Sequence, residues 1–334
     1  MNYHLTVAEE QSGIVLDDFL ASSFPNLAKP QLRSVVRDGK VLVNGQPRPA
    51  SCRLRSNDVV SVLLEDEYED ELAEAAAVTD QERVVIPILF EDEHVIALDK
   101  PPRLSCEPDR WDRTRAHLLD SLAAQLSSRP EPPTPRIVHR LDRDTSGVML
   151  VAKTLDAERV LRTAFDEQQI RKSYLALVEG DFALEDGETE IIDAPLGPDV
   201  RRSGQVVVRE DGKPSRTEVR VEQRFHGFSL LACHPLTGRT HQIRVHLAAR
   251  GFPLVVDPIY GRRKAFALSE FKAGYRKKPG LTEPSLIDRL SLHASTITFP
   301  CVGDEPRTIT VDAPLPRDFA RVIKQLAKFR PARR

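Results

Sequence analysis

Apolar positions near the N-terminus change period partway along. Val15, Leu16, Phe19 and Leu20 recur at helical spacing, Asp17 and Asp18 favour a helix start there, and Pro25 ends the element. A second short helix is expected from Pro30 to about Arg37. Gly39 then leads into the strand-like run Val41-Leu42-Val43, the turn pair Asn44-Gly45 and, after Asn57-Asp58, a closing strand from Val59 to Leu64. Residues 1–64 therefore read as a small unit of two helices and a hairpin.

Large apolar residues then become scarce. Glu65 to Arg83 holds nine acids, one base and the run Ala75-Ala76-Ala77, so residues 65–83 are expected to be a flexible or partly helical linker that marks a domain boundary. Strand-like runs follow at Val84–Phe90, His94–Leu98, Gly147–Ala152, Ser173–Val178, Gln205–Val208 and Thr217–Val221. They do not alternate regularly with helices as βαβ units would. The second domain, 84–327, is thus expected to be α+β with a largely antiparallel mixed sheet, and 328–334 a frayed basic tail.

Composition narrows the class. With 334 residues, 40% of them hydrophobic and 29% charged, the chain suits a globular protein of two ordinary domains. Its longest apolar run, Val148 to Ala152, is far short of the roughly 20 residues a membrane helix needs, and no basic stretch followed by an apolar run opens the chain. A cytoplasmic protein, without membrane contact, is the expectation. Cys52, Cys106, Cys233 and Cys301 stand apart without metal-ligand spacing, so free thiols and no metal are expected. The net charge of -2 hides an asymmetry, because outside the acidic segment the chain carries 47 Lys and Arg against 41 Asp and Glu. That modest basic surplus is weakly suggestive of RNA.

Three strings hold chemistry. His139-Arg140-Leu141-Asp142-Arg143-Asp144-Thr145-Ser146-Gly147 lies between the strand-like Arg136-Ile137-Val138 and the apolar strand Val148 to Val151. By itself, Asp142 would cap a turn and pair with Arg140 or Arg143. Thr237-Gly238-Arg239-Thr240-His241-Gln242-Ile243-Arg244-Val245-His246-Leu247 puts Ile243 and Leu247 on one helix face and stops at Gly251. Its arginines, read alone, would be solvated or touch phosphates. His241 and His246, at i, i+5, do not share a face closely enough for a metal pair, which leaves packing or phosphate contact. Arg171-Lys172-Ser173-Tyr174-Leu175-Ala176-Leu177-Val178-Glu179-Gly180 is a strand in which Tyr174 alternates with Ala176 and Val178, a pattern that alone fits a core tyrosine.

Taken together, the three strings resemble the RluA-type RNA pseudouridine synthases, and the likeness runs from about Gly13 to Phe319. Asp99-Lys100-Pro101, Gly212-Lys213-Pro214-Ser215-Arg216-Thr217 and Leu290-Ser291-Leu292-His293-Ala294 agree with it. The resemblance implies that Asp142 is the catalytic aspartate, Arg244 the arginine paired with it and Tyr174 the tyrosine that stacks on the target base. It further implies that Arg140 braces the RNA where the uridine is extruded, with His139, Arg239 and His241 as RNA contacts nearby. Isomerisation breaks the glycosidic bond, turns the uracil and rejoins the sugar through carbon 5, so it calls for no cofactor. Asp142 could attack the sugar, attack the base or remove a sugar proton. On every route it must be ionised, and a buried carboxylate stays so only when a cation or several donors offset its desolvation. Extruding the base costs a few kcal/mol, and a planar guanidinium such as that of Arg140 can stack in the gap.

The N-terminal plan, with Leu32 to Val36 followed by Asp38-Gly39-Lys40-Val41-Leu42-Val43-Asn44-Gly45, resembles the S-four-like RNA-binding domain. That resemblance implies RNA contacts by Lys29, Arg33, Arg37 and Lys40. Val15 departs from the arginine often found before the Leu-Asp pair of that pattern. Leu104-Ser105-Cys106-Glu107-Pro108 likewise departs from the Gly, Val and His usual after the Lys-Pro pair of the synthases. The expected partner is ribosomal or transfer RNA, and the expected state a monomer. Two rivals stay open: an RNA-binding assembly protein without chemistry, and a glycoside or nucleoside hydrolase, which would need a second carboxylate such as Asp144.

Overall fold

In the computed structural model, residues 2–7, 12–24, 29–63, 84–107, 117–185, 187–202, 204–276, 282–303 and 307–332 are described. The acidic segment expected as a linker over 65–83 lies outside them. The chain divides into two compact units, one within the residues up to Val84 and the other built from Val85–Glu107 and His117 onward.

The first unit contains β1 (Asn2–Thr6), α1 (Leu16–Ser23), α2 (Lys29–Arg37), β2 (Val41–Val43), β3 (Gln46–Pro47) and β4 (Val59–Leu63). Its four strands form a sheet in the order β1-β4-β2-β3, antiparallel throughout. Leu16, Phe19, Leu20, Leu32 and Val35 pack on Val41, Val43, Val60 and Val62, so the helical and alternating apolar positions meet in one core. The Asn44-Gly45 turn has φ of 52° and 77°, the left-handed pair a tight hairpin requires. Asn44 also bonds Asp58 and the Val59 amide, which fastens the turn to the start of β4. No side chain caps α1. Instead, the amides of Leu16 and Asp17 donate to the carbonyls of Cys52 and Ala50, which lets Val15 stand at the helix start.

The second unit holds β5 (Ile88–Glu91), β6 (Val95–Lys100), α3 (Leu118–Leu126), β7 (Arg136–Ile137), β8 (Ser146–Ala152), α4 (Leu155–Asp166), β9 (Arg171–Glu179), β10 (Thr189–Asp193), β11 (Leu196–Pro198), β12 (Val206–Val208), β13 (Arg216–Phe225), β14 (Phe228–Pro235), α5 (Gln242–Ala249), β15 (Phe266–Ala267), β16 (Ser285–Ile287), β17 (Leu292–Pro300), β18 (Thr308–Asp312) and α6 (Arg317–Phe329). The main sheet runs β10-β13-β14-β9-β17-β8-β6-β5, with β18 on β17 and β7 on β8. Among the described strands only β17 and β8 pair in parallel, so the domain is α+β with a largely antiparallel mixed sheet. Every residue of β8 is buried, as expected for a strand covered on both faces.

Two details place the site. Gly147 has φ of 116°, and a Cβ there would stand 2.1 Å from the carbonyl oxygen of Ala294. Only glycine lets β8 approach β17 this closely, directly after the loop that bears Asp142. Along β9, Leu175 and Leu177 pack toward a cluster that includes Phe319, Val322 and Leu326 of α6. Tyr174 takes the opposite side of the pleat and lines a cleft.

Some boundaries moved. The strand expected from Val84 begins at Ile88, because the amide and carbonyl of Ile86 are both taken by the side-chain amide of Gln125 on α3. The frayed tail expected from Lys328 is corrected as well. Helix α6 continues to Phe329, the His226 amide donates to the Arg330 carbonyl, and Pro331 bridges to Phe225.

Candidate active site

The cleft, about 1130 Å³ in volume, is larger than a pocket for one small molecule. Its walls come from the loop before β8, the start of β9, the end of β14 and the loop entering α5. Asp142 sits in the first of these, in a turn closed by the Thr145 amide donating to the Asp142 carbonyl. The loop is tied from below. Lys100 is fully buried, and its Nζ donates to the carbonyls of Pro101 (2.9 Å), Leu104 (2.9 Å) and Arg143 (3.0 Å). Burial draws this ammonium down to about 8, and the three carbonyls satisfy its donors.

Arg244 reaches Asp142 from α5. Its Nη1 stands 2.8 Å from Asp142 Oδ2, while Nε and Nη2 donate to the two oxygens of Asp257 at 2.7 and 2.9 Å. Asp257 is wholly buried and also accepts the amides of Ile259 and Tyr260. Burial opposes charge on Arg244, but the bonds to Asp257 and the nearness of Asp142 outweigh it and raise its pKa. Asp257 is held low in turn, against its own burial, by Arg244 and those two amides. A buried cation thus faces Asp142 in a fixed orientation. Tyr174 is nearly buried, and burial together with the Asp142 charge raises its phenol, which stays protonated at neutral pH.

His241 lies at the entrance to α5 in the left-handed region, with φ of 55°. Its Nε2 is 3.9 Å from Asp142 Oδ1 and its Nδ1 is 2.8 Å from the hydroxyl of Tyr260. Burial lowers its pKa, more than the Asp142 charge raises it, and so favours the neutral imidazole. The next residue, Gln242, fixes the loop. Its oxygen accepts from Thr237 Oγ1 and the Arg239 amide, and its nitrogen donates to Arg216 and Thr217.

Other residues singled out in the sequence fall in different places. Arg140 is 72% exposed and lies a loose 3.9 Å from Glu107, free to meet a ligand. His139 accepts the Leu150 amide at Nε2 and packs on Phe165, and burial, together with the nearby Lys172 charge, pushes its pKa down to about 3. Arg239 is exposed at the cleft edge. His246 is buried between Thr217 and the Ala194 carbonyl, a packing role. In the first unit Arg33 grips both oxygens of Asp17, Arg37 is exposed, Lys40 is half-buried, and the side chain of Lys29 lies outside the described residues. Among the described residues, no group of His, Cys, Asp and Glu could hold a metal ion, and the four cysteines are free.

The motif reading missed Asp257 and Tyr260. Both lie in Asp257-Pro258-Ile259-Tyr260-Gly261, which in one dimension looks like a plain turn. Lys172, two positions before Tyr174 on β9, is a further charged group of the cleft. Its ammonium lines the cleft without an ion pair among the described residues, and burial draws it down to about 8.

A large cleft with one clamped carboxylate, on this sheet, fits the comparisons with known proteins. A family model described as RNA pseudouridylate synthase matches residues 94–249, a span that includes Asp142, Tyr174 and Arg244. The chain belongs to the RluA family of RNA pseudouridine synthases and is an RNA-modifying isomerase. It is 35% identical over 331 residues to the uncharacterized RNA pseudouridine synthase YlyB of Bacillus subtilis (strain 168), covering 97% of this chain and 98% of that one. It is 33% identical over 338 residues to ribosomal large subunit pseudouridine synthase C of Escherichia coli (strain K12), covering 98% and 97%. The solved structure of human RNA pseudouridylate synthase domain containing 1 aligns with a TM-score of 0.52 at 25% identity, over 70% of this chain and 85% of that one. Among the described residues, no helix is long and apolar enough to cross a membrane.

Proposed function

We propose that this protein isomerises selected uridines of ribosomal RNA, with Asp142 as the reacting carboxylate. The observation that carries the reading is the bond between Asp142 and a buried Arg244 that Asp257 anchors on its far side. That arrangement sets a fixed cation against the carboxylate of Asp142 beside Tyr174, on whose ring the target base stacks. Arg140, exposed two residues before Asp142, occupies the gap left by the extruded uridine. Ribosomal RNA comes first among substrates because relatives matching nearly the whole chain are named ribosomal large subunit pseudouridine synthases. The first unit, with Arg37 exposed and Lys40 at its hairpin, acts as a separate RNA-binding module of the S-four-like kind.

The test is pseudouridine mapping of unmodified ribosomal and transfer RNA transcripts treated with the purified protein, beside Asp142→Asn. New pseudouridine with the wild type alone supports the reading and names the site. Release of free uracil would instead make the protein a hydrolase. Tight RNA binding without new pseudouridine would overturn the catalytic assignment.

A further inference from the structure

The two oxygens of Asp142 face different groups. Oδ2 takes Nη1 of Arg244, and Nε2 of His241 stands 3.9 Å from Oδ1. In the neutral ring, the placement of the single proton of His241 decides the sign of that second interaction. A proton on Nε2 makes the ring a donor to the carboxylate, whereas a bare Nε2 turns a lone pair toward it.

Hydrogen bonds outside the cleft decide the tautomer. The Val206 amide donates to the hydroxyl oxygen of Tyr260 at 2.9 Å, and a backbone N–H can only donate. Among the described residues, the phenol proton is left with one acceptor, Nδ1 of His241 at 2.8 Å. Nδ1 therefore accepts, and the ring proton belongs on Nε2, facing Asp142. Tyr260 is itself held by the residue that holds Arg244: its amide donates to Asp257 Oδ1, and the Arg244 guanidinium stands over its ring, 5.0 Å from the centroid. One buried carboxylate thus positions the supports of both oxygens of Asp142. His241 keeps its left-handed backbone in this setting, a conformation that a side chain bearing a Cβ adopts only where its surroundings fix it.

We propose that Val206, Tyr260 and His241 form a relay that presents Nε2–H to Asp142 Oδ1, making Tyr260 and His241 positioning residues for the reacting carboxylate. The contact tightens to hydrogen-bond length when RNA fills the cleft and excludes water, as active-site bonds that are long in the free enzyme commonly do. With Arg244 on one oxygen and His241 on the other, the carboxylate plane is fixed in the cleft. The kinetic consequence rests on the function proposed above. The tautomer does not.

Two measurements test it on the full-length protein. Nitrogen-15 imidazole shifts, assigned with His241→Gln, are expected to show His241 as the Nε2–H tautomer in the wild type and a mixture in Tyr260→Phe. An Nδ1–H tautomer in the wild type would overturn the relay, whatever the enzyme's activity. Single-turnover pseudouridine formation on an unmodified large-subunit ribosomal RNA transcript then reads the consequence. Tyr260→Phe should lower the rate constant about tenfold while leaving RNA affinity unchanged, the size of effect expected for loss of an orienting partner. His241→Gln, whose amide N–H stands in for Nε2–H, should stay within about threefold of wild type. Adding Tyr260→Phe to His241→Gln should then cause no further loss. Equal slowing by Tyr260→Phe in both backgrounds would overturn the relay. A wild type that forms no pseudouridine on any RNA fails the proposed function instead.

Discussion

Arg244 shows how much one side chain is asked to do, since three of its nitrogens serve two carboxylates in fixed directions. A lysine there would supply charge without the fork. Arg244→Lys is therefore expected to lower kcat about a hundredfold, near 2.7 kcal/mol of transition-state stabilisation, with RNA affinity little changed. A variant within a few-fold of wild type would show that charge alone suffices. Lys172 makes a different prediction. Burial draws its pKa to about 8, so the ammonium is charged below that pH and loses its charge above it. If it meets an RNA phosphate, affinity should weaken by about tenfold between pH 7 and pH 9.5, the size of one charge-assisted contact. Lys172→Arg, which stays charged throughout, should remove that dependence, and filter-binding titrations across this range would decide. Asp142, Tyr174 and Arg244 were legible because each lies in a contiguous string. Asp257 and Tyr260 were not, because their role comes from meeting Arg244 and His241 across a turn, a contact that no local pattern records.

Elements carry these residues, and the junction of β8 with β17 is the most exacting of them. Here a Cβ on Gly147 would collide with the Ala294 backbone at 2.1 Å, and the positive φ adds strain of its own. Gly147→Ala should cost about 3 kcal/mol or more and move the Asp142 loop, so that a chemical melt shifts and activity falls together. Retained activity with an unchanged midpoint would mean that β17 can move away. The sequence hid β17 for a related reason. His293 and Ser295 interrupt its apolar run, and a polar residue in a strand ordinarily reads as surface. Here they are satisfied inside, His293 by Ser146 and the Ala313 carbonyl, Ser295 by the Ser173 carbonyl. Strand β1 was hidden differently, because its five residues gain their identity by pairing with β4 some sixty positions on. The hairpin at Asn44-Gly45 needs no such partner and was legible from two letters.

At the scale of the whole catalytic unit, the polar network around His293 links β8, β17 and α6. Arg289 binds both oxygens of Asp318 on α6 and donates to Ser146, whose hydroxyl serves His293. Burial pushes His293 down to about 4, and the half-buried His139 is shifted the same way. The unfolded chain binds these protons near pH 6.5, whereas the folded one resists until much lower pH. Between about pH 6.5 and 4 the unfolded state therefore holds more protons, and stability is lost as pH falls. Carboxylates such as Glu91, held at about 2 by Arg129 and Lys153, contribute their own loss from about pH 5 downward, where the unfolded chain takes up their protons first. The histidines thus dominate above pH 5. At that pH His293 alone should cost about 2 kcal/mol, or about 4–8 °C in the melting temperature of a domain of this size. His293→Gln keeps a neutral amide in the site and cannot take up the proton, so its melting temperature should fall less from pH 7 to pH 5 than that of the wild type. Parallel declines in the two proteins would place the acid sensitivity elsewhere. A shallower decline in the variant would show that the buried histidine joining β8 and β17 to α6 carries part of the acid sensitivity of the fold.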